Sequence, residues 1–336
     1  MSSTPEILCD GRWVGPHGIG RFAKNVLSRL PEHVELRSGP KPLSPLDPLW
    51  LSYQIATRRP SVFFSPGFNP PAICTRPLVL TIHDLAHIHF PAYATWRRRL
   101  YYQLLVKRAA RQASYILTGS EYSRTQILEW SDLPEAKVVN MGYGVETVFR
   151  PAGPRYEPGY PYLLYVGNFR PHKNLKRLLA AFAEIDFPDL RLVATGKPSA
   201  AMNAEIERLK IGGRVQFAGI LSDEALSRVY RGALSLVFPS LFEGFGLPAL
   251  EAMACGTPVI ASRTTALPEV VGDAGLLINP LDTDDIRHAI ERVLSDEALR
   301  RRMRTDGISR AGRFCWDCVV AKVQQVICRA AGSVGY

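Results

Sequence analysis

The sequence has few cysteines and no long hydrophobic run. The first argues against a protein held together by disulfides or zinc, and the second against a membrane-spanning protein. No apolar stretch approaches the roughly 18–20 residues that span a bilayer, and no basic segment followed by a hydrophobic core opens the chain. We therefore expect a cytoplasmic protein. The six cysteines are scattered, and the pair in CWDC (315–318) has no second pair to complete a zinc site. Reduced, half-buried thiols on a C-terminal helix are the prediction, and a structural or redox role is the less favoured alternative.

The modest charge content excludes a disordered chain. Charged residues make up 21% and hydrophobic residues 46% of the 336 positions, and this length exceeds the usual limit for one hydrophobic core. Two domains are therefore expected. The net charge of +10 is concentrated in residues 1–150, where 18 Lys and Arg oppose 11 Asp and Glu. That surplus implies an anionic partner of the first half.

Short β-rich runs alternate with helical patterns in both halves of the chain. Strands are predicted at 6–9, 62–65, 78–84 and 115–120, with helices that start near 20, 93 and 121. After a stretch rich in Gly and Pro at 142–162, strands are predicted at 162–168, 190–196, 214–219, 233–240, 258–262 and 275–279. This α/β alternation predicts two doubly wound, Rossmann-like domains with parallel sheets, at 1–145 and 155–314. Ligands of such sheets bind beyond the C-terminal ends of the strands, so residues that follow strands are the candidates.

Two stretches follow strands in the first half. In GPHGIGRF (15–22), Gly18 and Gly20 would let the backbone approach a ligand, and the next helix N-terminus would favour a phosphate. A plain tight turn explains these glycines equally well. In TIHDLAHIHFP (81–91), His83 ends a strand and could donate to a substrate hydroxyl or phosphate. A buried histidine satisfied by the backbone is the alternative, and the spacing of the nearby His residues does not predict a metal site.

Two cations follow the first strand of the second half, in YVGNFRPHKNL (165–175). Arg170 and Lys173 suit a diphosphate, because Arg binds as a bidentate fork and Lys as a point charge. A solvated basic loop is the alternative. Asn174 is predicted to cap the helix that follows.

The stretch SLFEGFGLPALEAMACGTPVIAS (240–262) carries two carboxylates, Glu243 and Glu251, among apolar neighbours. Pro248 suits the first turn of a helix, which leaves the N–H groups of Phe245, Gly246 and Leu247 to face a phosphate. We expect Glu251 in the first helical turn, where a helix-favoured carboxylate is the alternative. Two carboxylates beside a phosphate repel it unless each binds a different hydroxyl, and a nucleotide sugar supplies such hydroxyls.

These stretches resemble family four of the retaining glycosyltransferases, which share the GT-B fold of two Rossmann-like domains facing across a cleft. EGFGLPALEAMACGTPVIAS is similar to the family signature, and YVGNFRPHKNL, VQFAGILSDEAL, GIGRF and TIHDL match in the same order over nearly the whole chain. The resemblance implies that a final helix at 315–331 packs back on the N-terminal, acceptor-binding domain. It also implies activity without a divalent metal, and DTDD (282–285) is predicted to be a helix N-cap instead.

The resemblance implies roles for individual residues. Glu251 would bind the nucleotide ribose and Glu243 would lie beside the donor sugar and its phosphate. Arg170, Lys173 and the amides of Phe245, Gly246 and Leu247 would hold the diphosphate. Gly18 and Gly20 would approach it from the N-terminal domain, His83 would contact the donor sugar, and Gly219 and Ile220 would border the base.

TIHDL with HFP further resembles bacterial mannosyl- and rhamnosyltransferases of surface-polysaccharide assembly. This implies a GDP-sugar donor, with a UDP-sugar as the alternative, no other cofactor, and a glycan or lipid-linked glycan acceptor. A catalytically silent nucleotide-sugar-binding subunit and a nucleotide-sugar epimerase are less favoured, because all the charged site residues and the family-four signature are present. No feature predicts an oligomeric state.

The segment 96–113 is basic and carries interleaved aromatic and aliphatic residues without an acid. It suits an anionic bilayer, so a peripheral position at the inner face of the plasma membrane is expected. The alternative is a helix that packs on its own sheet with a solvated basic face. The segment lacks a groove-reading module, so nucleic acid is not expected to be a partner.

Overall fold

The chain folds into two compact units, one of residues 1–144 with 315–336 and one of residues 145–314. The structure, a computed structural model, describes residues 6–15, 17–90, 93 and 95–332. Pro16 of the glycine-rich stretch and Pro91 of TIHDLAHIHFP therefore lie outside the described residues. Residues 146–154, expected to lie outside both domains, and Val145, expected in the first, belong to the second unit. The guanidinium of Arg231 donates to the carbonyls of Arg150 and Pro154 and so ties this stretch to that unit.

The first unit is built on a parallel sheet of six strands. They are β1 (Ile7–Cys9), β2 (Val34–Glu35), β3 (Val62–Ser65), β4 (Leu78–Thr81), β5 (Tyr115–Thr118) and β6 (Val138–Asn140), in the order β2-β1-β3-β4-β5-β6. The helices between them are α1 (Gly18–Leu27), α2 (Asp47–Arg58), α3 (Ala86–His89), α4 (Trp96–Tyr101), α5 (Lys107–Gln112) and α6 (Glu121–Ser131). A π-helical turn, Tyr102–Val106, joins α4 to α5. The central strands β3 and β4 are buried along their whole length, as expected for strands that helices cover on both faces.

The second unit has its own parallel sheet of six strands. They are β7 (Tyr162–Tyr165), β8 (Arg191–Ala194), β9 (Val215–Phe217), β10 (Ser235–Phe238), β11 (Val259–Ser262) and β12 (Leu276–Ile278), in the order β12-β11-β10-β7-β8-β9. Its helices are α7 (Leu175–Ala183), α8 (Ala200–Arg208), α9 (Asp223–Gly232), α10 (Leu247–Ala254), α11 (Leu267–Val271), α12 (Thr283–Ser295) and α13 (Glu297–Ala311). The strand order reverses between β7 and β10, where ligands bind in doubly wound folds. The predicted fold class is confirmed.

The last helix, α14 (Trp316–Gly332), packs in the first unit against α1, β3, β4 and β5. Its inward face is apolar and includes Val319, Val323 and Ile327, all buried. Trp316 closes the start of the helix against Gly144, because a Cβ on that glycine would lie 2.3 Å from the Trp316 nitrogen.

Strands β2 and β6 and helices α2 and α3 of the first unit were not predicted. Strands β2 and β6 have two and three residues, which is too short to carry a period of two. Helix α2 begins among prolines, and Pro48 lies in its first turn, where proline is tolerated. The prolines around position 48 are typical of a loop, and for this reason helix α2 was not predicted.

Candidate active site

Most of the predicted site residues lie where the strand order of the second sheet reverses. The loop after β7 carries Arg170 and Lys173, and the loop after β10 carries Glu243 and leads into α10. Because β7 and β10 are hydrogen-bonded neighbours, their C-terminal loops lie side by side. Residues far apart in sequence therefore meet at this edge of the sheet.

Lys173 and Glu243 form an ion pair. Lys173 Nζ donates to Glu243 Oε1 at 2.6 Å, and the two side chains are 13% and 11% exposed. The ammonium also lies 5.2 Å from the centroid of the Phe238 ring. The backbone N–H of Glu243 donates to Thr265 Oγ1 at 3.1 Å, which fixes the loop that bears the carboxylate. Since an ammonium has three protons, Lys173 can serve Glu243 and a ligand oxygen together.

The turn into α10 depends on glycine. Gly246 has a φ of 114° and precedes the first helical residue, Leu247. A Cβ on Gly246 would lie 2.5 Å from Leu267 Cδ2, so both conformation and space exclude a side chain. Within the described part of the chain, no acceptor takes the N–H of Gly246 or Leu247. Phe245 is buried beside them, with its ring edge against Phe314. The helix therefore presents donors and its positive dipole end at this point.

Glu251 lies in the second turn of α10. The prediction of the first turn was wrong, because the helix starts at Leu247 and has no acidic residue in its first turn. The side chain is 4% exposed, and Tyr230 Oη donates to Glu251 Oε2 at 3.1 Å. A carboxylate that only stabilises the helix through the helix dipole would not need to be buried, so the alternative given above does not explain this position. The buried carboxylate is held by a tyrosine from α9 that the sequence analysis did not single out.

The loop after β7 turns on a short 3₁₀ helix, Pro171–Lys173. Arg170 is exposed at its start. Burial, reinforced by the charge of Lys173, lowers the pKa of His172 to about 4, so the imidazole adds no charge at neutral pH. Asn174 occupies the N-cap position of α7, but the predicted side-chain cap was wrong. Its side-chain amide donates instead to the carbonyls of Pro239 and Pro280, which tie the loop to β10 and β12.

Gly219 and Ile220 lie at the neighbouring edge of the same unit, after β9. Gly219 has a φ of 71° and bridges to Gly196, whose N–H donates to the Gly219 carbonyl at 2.7 Å. Ile220 is 90% exposed, which is unusual for an aliphatic side chain. Its exposure is compatible with a contact to a flat ligand group.

Gly18 and Gly20 open α1 in the first unit, but the two differ in accessibility. Gly18 is exposed, with no atom within 4 Å of a Cβ placed on it. Gly20 is buried against Gly15, since its Cβ would lie 2.2 Å from the Gly15 oxygen. The N–H of Gly20 donates to His17 Nδ1 at 2.9 Å, so a side-chain cap already uses the amide that was predicted to meet a phosphate. The position of His17 directly before the helix could have indicated this cap.

His83 is buried, and the centroid of its ring lies 5.2 Å from that of the Phe22 ring of α1, with the two rings nearly perpendicular. Its Nε2 lies 2.9 Å from the Pro66 carbonyl oxygen, which can only accept, so this nitrogen carries the proton. Nδ1 then accepts from Tyr143 Oη, whose pKa burial raises. Burial also lowers the pKa of His83 to about 4. Both ring nitrogens therefore have partners, as the alternative of a buried, hydrogen-bonded histidine requires. A contact between His83 and the donor sugar stays a prediction, and it requires one of these partners to leave.

Two further arrangements bear on the predictions. Asp282 accepts from the amides of Asp284 and Asp285 at the start of α12, so the N-cap predicted from DTDD is confirmed. Among the described residues, no three His, Cys, Asp or Glu side chains are grouped to hold a metal ion. In the part of the chain that the structure describes, no helix is both long and apolar enough to cross a bilayer.

Known proteins match both units. Residues 12–149 match the family described as Glycosyltransferase Family 4, and residues 151–310 match Glycosyl transferases group 1. The O-antigen chain mannosyltransferase B of Escherichia coli is 32% identical over 271 residues, which cover 76% of this chain and 71% of that protein. The MMP alpha-(1->4)-mannosyltransferase of Mycolicibacterium hassiacum is 35% identical over 276 residues, which cover 77% of this chain and 66% of that protein.

A solved structure supports the same fold. Anabaena Alr3699/HepE in complex with UDP-glucose superimposes with a TM-score of 0.78, at 18% identity, over 98% of this chain and 100% of that one. Together with the matches over both units, this likeness identifies the GT-B fold. The chain therefore belongs to glycosyltransferase family 4 and is a glycosyltransferase.

Proposed function

We propose that this enzyme transfers a mannose or a deoxyhexose such as rhamnose, with retention of configuration, from a GDP-sugar to a glycan or lipid-linked glycan acceptor in cell-surface polysaccharide synthesis. One observation carries the proposal. A partly buried Lys173–Glu243 ion pair lies beside the glycine-capped N-terminus of α10, which also carries the buried Glu251. An acidic pair that flanks an anion-binding helix end suits a ligand that is both phosphorylated and rich in hydroxyls.

Each group has a task in this proposal. The diphosphate takes the N–H groups of Gly246 and Leu247 together with Lys173, while Arg170 reaches it from the exposed side of the loop. Glu251 accepts from the ribose diol, and Glu243 accepts from a hydroxyl of the sugar. Gly219 and Ile220 border the base.

The chemistry follows from where charge develops. Breaking the bond between sugar and phosphate builds positive charge on the anomeric carbon and negative charge on the departing diphosphate. Donors that are already fixed around the phosphate lower this barrier, each by roughly 2.7–4 kcal/mol if they act like an oxyanion-hole donor. Glu243 is engaged by Lys173. We therefore favour front-face substitution, in which the departing phosphate takes the proton of the acceptor hydroxyl, over a covalent intermediate on Glu243.

The choice of donor rests on the relatives. Both sequence relatives described above are named mannosyltransferases, which favours mannose. The solved neighbour holds UDP-glucose, which keeps a UDP-sugar as the second candidate.

A donor panel tests the proposal. Purified protein is incubated with GDP-mannose, GDP-fucose, UDP-glucose and UDP-galactose, with and without a bacterial lipid extract, and the released nucleoside diphosphate is measured. We expect release of GDP that increases with extract, and a Glu243→Gln, Lys173→Gln double variant that loses it. Release of UDP alone would overturn the donor assignment. Donor binding without release would identify a silent subunit, and turnover without an acceptor would identify an epimerase.

We also propose peripheral membrane binding through residues 96–113. Three exposed apolar side chains, Trp96, Leu100 and Leu104, recur at intervals of four and form one stripe. Exposed arginines flank the stripe, while Tyr102 and Val106 face the core. A stripe of this kind beside cationic residues suits an anionic bilayer surface.

Vesicle sedimentation tests this surface. We expect the wild-type protein to pellet with vesicles that contain anionic lipid, and an Arg97→Glu, Arg99→Glu variant to stay in the supernatant. Arg58→Glu, Arg59→Glu changes the same charge on α2 and at its end and is the matched control. Equal pelleting of the charge-reversed variant and the wild type would refute membrane binding by this segment.

A further inference from the structure

A cavity of about 320 Å³ opens within the first unit, away from the glycine-rich turn. It is lined by Leu43, Phe68, His87, Arg97, Arg98, Tyr101 and Tyr102. Aromatic rings form its wall: Phe68 stacks on Tyr102 at 5.7 Å with an interplanar angle of 26°, and both lie near the His87 ring. Such a wall suits the face of a sugar ring or another largely apolar group.

Two hydroxyls in this wall lack partners. The Tyr101 and Tyr102 oxygens are both buried, and neither hydrogen-bonds to any residue that the structure describes. Tyr102 as a whole is only 2% exposed. Burial raises the pKa of both tyrosines. The charge of Asp47 raises that of Tyr101 further, and the charge of Asp84 raises that of Tyr102. Both hydroxyls therefore keep their protons and can act as donors. Buried hydroxyls in native proteins almost always have a partner, so we expect a ligand in the cavity to supply an acceptor atom once the tyrosine side chains turn toward it.

Two cations stand at the rim of the cavity. Arg97 and Arg98 are exposed and form no ion pair with a described residue. The Arg98 guanidinium donates to the carbonyl of Tyr93 at 3.2 Å, and the Arg97 guanidinium lies over the Trp96 ring. Both guanidinium groups therefore have donors left for an oxyanion.

The nearby carboxylates are already engaged. Asp47 accepts from Arg12 Nη1 at 2.7 Å and from Asn69 Nδ2 at 2.8 Å, and Asp84 accepts from the Ala86 N–H. Asp47 also accepts from the N–H of Leu43, a lining residue with a φ of 70°. A left-handed leucine is strained, and it persists because this hydrogen bond and the surrounding contacts hold it.

We propose that this cavity binds the oxyanion of the acceptor, a phosphate or carboxylate attached to a sugar, with Arg97 and Arg98 as the charge partners and the Tyr101 and Tyr102 hydroxyls as hydrogen-bond donors. The oxyanion can belong to an acidic sugar of the glycan or to the phosphate that links it to a lipid. The identification of the ligand as the acceptor rests on the proposed function. The inference that the cavity binds an oxyanion rests only on the residues that line it.

Calorimetric titration without any donor tests the site. The probes are mannose 1-phosphate, glucuronic acid, inorganic phosphate, and phosphatidylcholine vesicles with one tenth phosphatidic acid. We expect mannose 1-phosphate or glucuronic acid to bind more tightly than inorganic phosphate, because the aromatic wall adds contact. Arg98→Gln should weaken binding about tenfold or more and Tyr102→Phe about three- to tenfold, as for charged and neutral hydrogen bonds.

Matched variants make the test specific. Arg99→Gln removes the same charge from the same helix without lining the cavity, and Tyr53→Phe removes an exposed hydroxyl from α2, so both should leave the binding of the three soluble probes unchanged. Each titration is repeated with Lys173→Gln, which reports any binding at the proposed donor site of the second unit. Vesicle binding that depends on Tyr102, without sugar-phosphate binding, would assign the oxyanion to a lipid head group.

Two results would overturn the inference. One is equal weakening by Arg98→Gln and Arg99→Gln with no effect of Tyr102→Phe, which means that only the overall charge of the helix matters. The other is that no probe binds in the millimolar range while the thermal unfolding of all variants stays normal. Because the titration contains no nucleotide sugar, its result is independent of the nucleoside diphosphate assay. The cavity inference can therefore fail while the proposed function holds, and the proposed function can fail while the cavity still binds an oxyanion.

Discussion

The two carboxylates at the start of α10 are held by different kinds of hydrogen-bond donor. Glu243 is paired with an ammonium group, Lys173, whereas Glu251 accepts from a neutral hydroxyl, Tyr230. The Tyr230 hydroxyl carries no charge of its own, whereas the Lys173 ammonium is a full positive charge beside Glu243. Glu251 is therefore the better of the two for receiving the hydroxyls of a ribose.

The Tyr230–Glu251 pair leads to the first prediction. Glu251→Gln should raise the donor KM by about tenfold or more, because a hydrogen bond to a charged acceptor contributes roughly 1.5–3 kcal/mol. Tyr230→Phe should raise the donor KM by a smaller factor, since the carboxylate remains but is less well oriented. Steady-state kinetics with varied donor measures both effects, and Glu291→Gln on the solvent side of α12, a side chain that is 40% exposed, is the control. An unchanged KM in Glu251→Gln would remove this residue from the donor site.

His83 should make the first unit acid-sensitive. Its folded pKa of about 4 lies below the ordinary value of 6.5, so on acidification the unfolded chain takes up the proton first. The free energy of unfolding should therefore fall by about 2 kcal/mol between pH 7.5 and pH 5, provided that the rest of the unit is unchanged.

Urea unfolding followed by tryptophan fluorescence measures this effect, because all five tryptophans belong to the first unit. The His83→Gln variant should lose most of the pH dependence between these two values. If the variant and the wild type lost stability in parallel, His83 would not be the group responsible.

The CWDC pair should show unequal reactivity. The Sγ of Cys318 donates to Cys315 Sγ at 2.9 Å, and the Cys318 N–H donates to the same sulfur. These bonds lower the pKa of Cys315, so more thiolate is present at neutral pH. Iodoacetamide at pH 7, read out by peptide mass spectrometry, should alkylate Cys315, just before α14, faster than the exposed Cys328 within α14. Cys318→Ala should slow Cys315, and equal rates in both proteins would contradict this assignment.

At the scale of elements, the start of α10 combines a left-handed glycine with a proline in the first turn. The strand before it and the helix after it could adopt their conformations with many sequences, but the junction between them could not. Only glycine readily adopts the left-handed conformation of Gly246. Pro248 is compatible with the first turn of α10, just as Pro48 is compatible with the first turn of α2.

Gly246→Ala should therefore destabilise the second unit by about 1–3 kcal/mol and reduce donor binding. The cost arises from a φ of 114° and from the contact of the added Cβ with Leu267. Gly212→Ala is the control, because its Cβ would meet no atom within 4 Å. Urea unfolding of the second unit, followed by far-ultraviolet circular dichroism, measures the difference. A loss as small as that of the control would mean that the turn adapts.

At the scale of the whole molecule, the chain leaves the first unit after Gly144 and returns to it at Cys315. Helix α14 thus completes a core whose other elements lie at the opposite end of the sequence. Its apolar face covers α1 and the central strands of the first sheet.

A chain that ends at Phe314 should therefore lose the first unit and keep the second. Val323 and Ile327 are fully buried, and such side chains contribute roughly 1.5–3 kcal/mol each, against a total stability of about 5–15 kcal/mol for a domain. The remaining tryptophans should show no cooperative transition, while circular dichroism should retain one. A chain that ends at Gly332 is the control. A normal tryptophan transition in the shorter chain would show that the helix is dispensable.

Local patterns by themselves determined much of this protein. Most strands of both sheets were predictable because a buried parallel strand is a short apolar run between turns, with β2 and β6 as the exceptions. The turn into α10 was predictable because Gly246 and Pro248 act on their own backbone. The position of Glu243 and Glu251 around that turn follows from the same local rules. The motif resemblance supplied the family, since it depends only on residues that are close in sequence.

Only the tertiary structure decided which groups meet. Lys173 reaches Glu243 across 70 positions because β10 lies beside β7, and the strand order is set by packing over the whole sheet. The same holds for Tyr230 with Glu251, for Tyr143 with His83, and for the side chain of Asn174, which binds two distant carbonyls instead of capping its own helix. A pattern of period two or 3.6 specifies the direction in which a residue points, but its partner depends on which element the core places opposite.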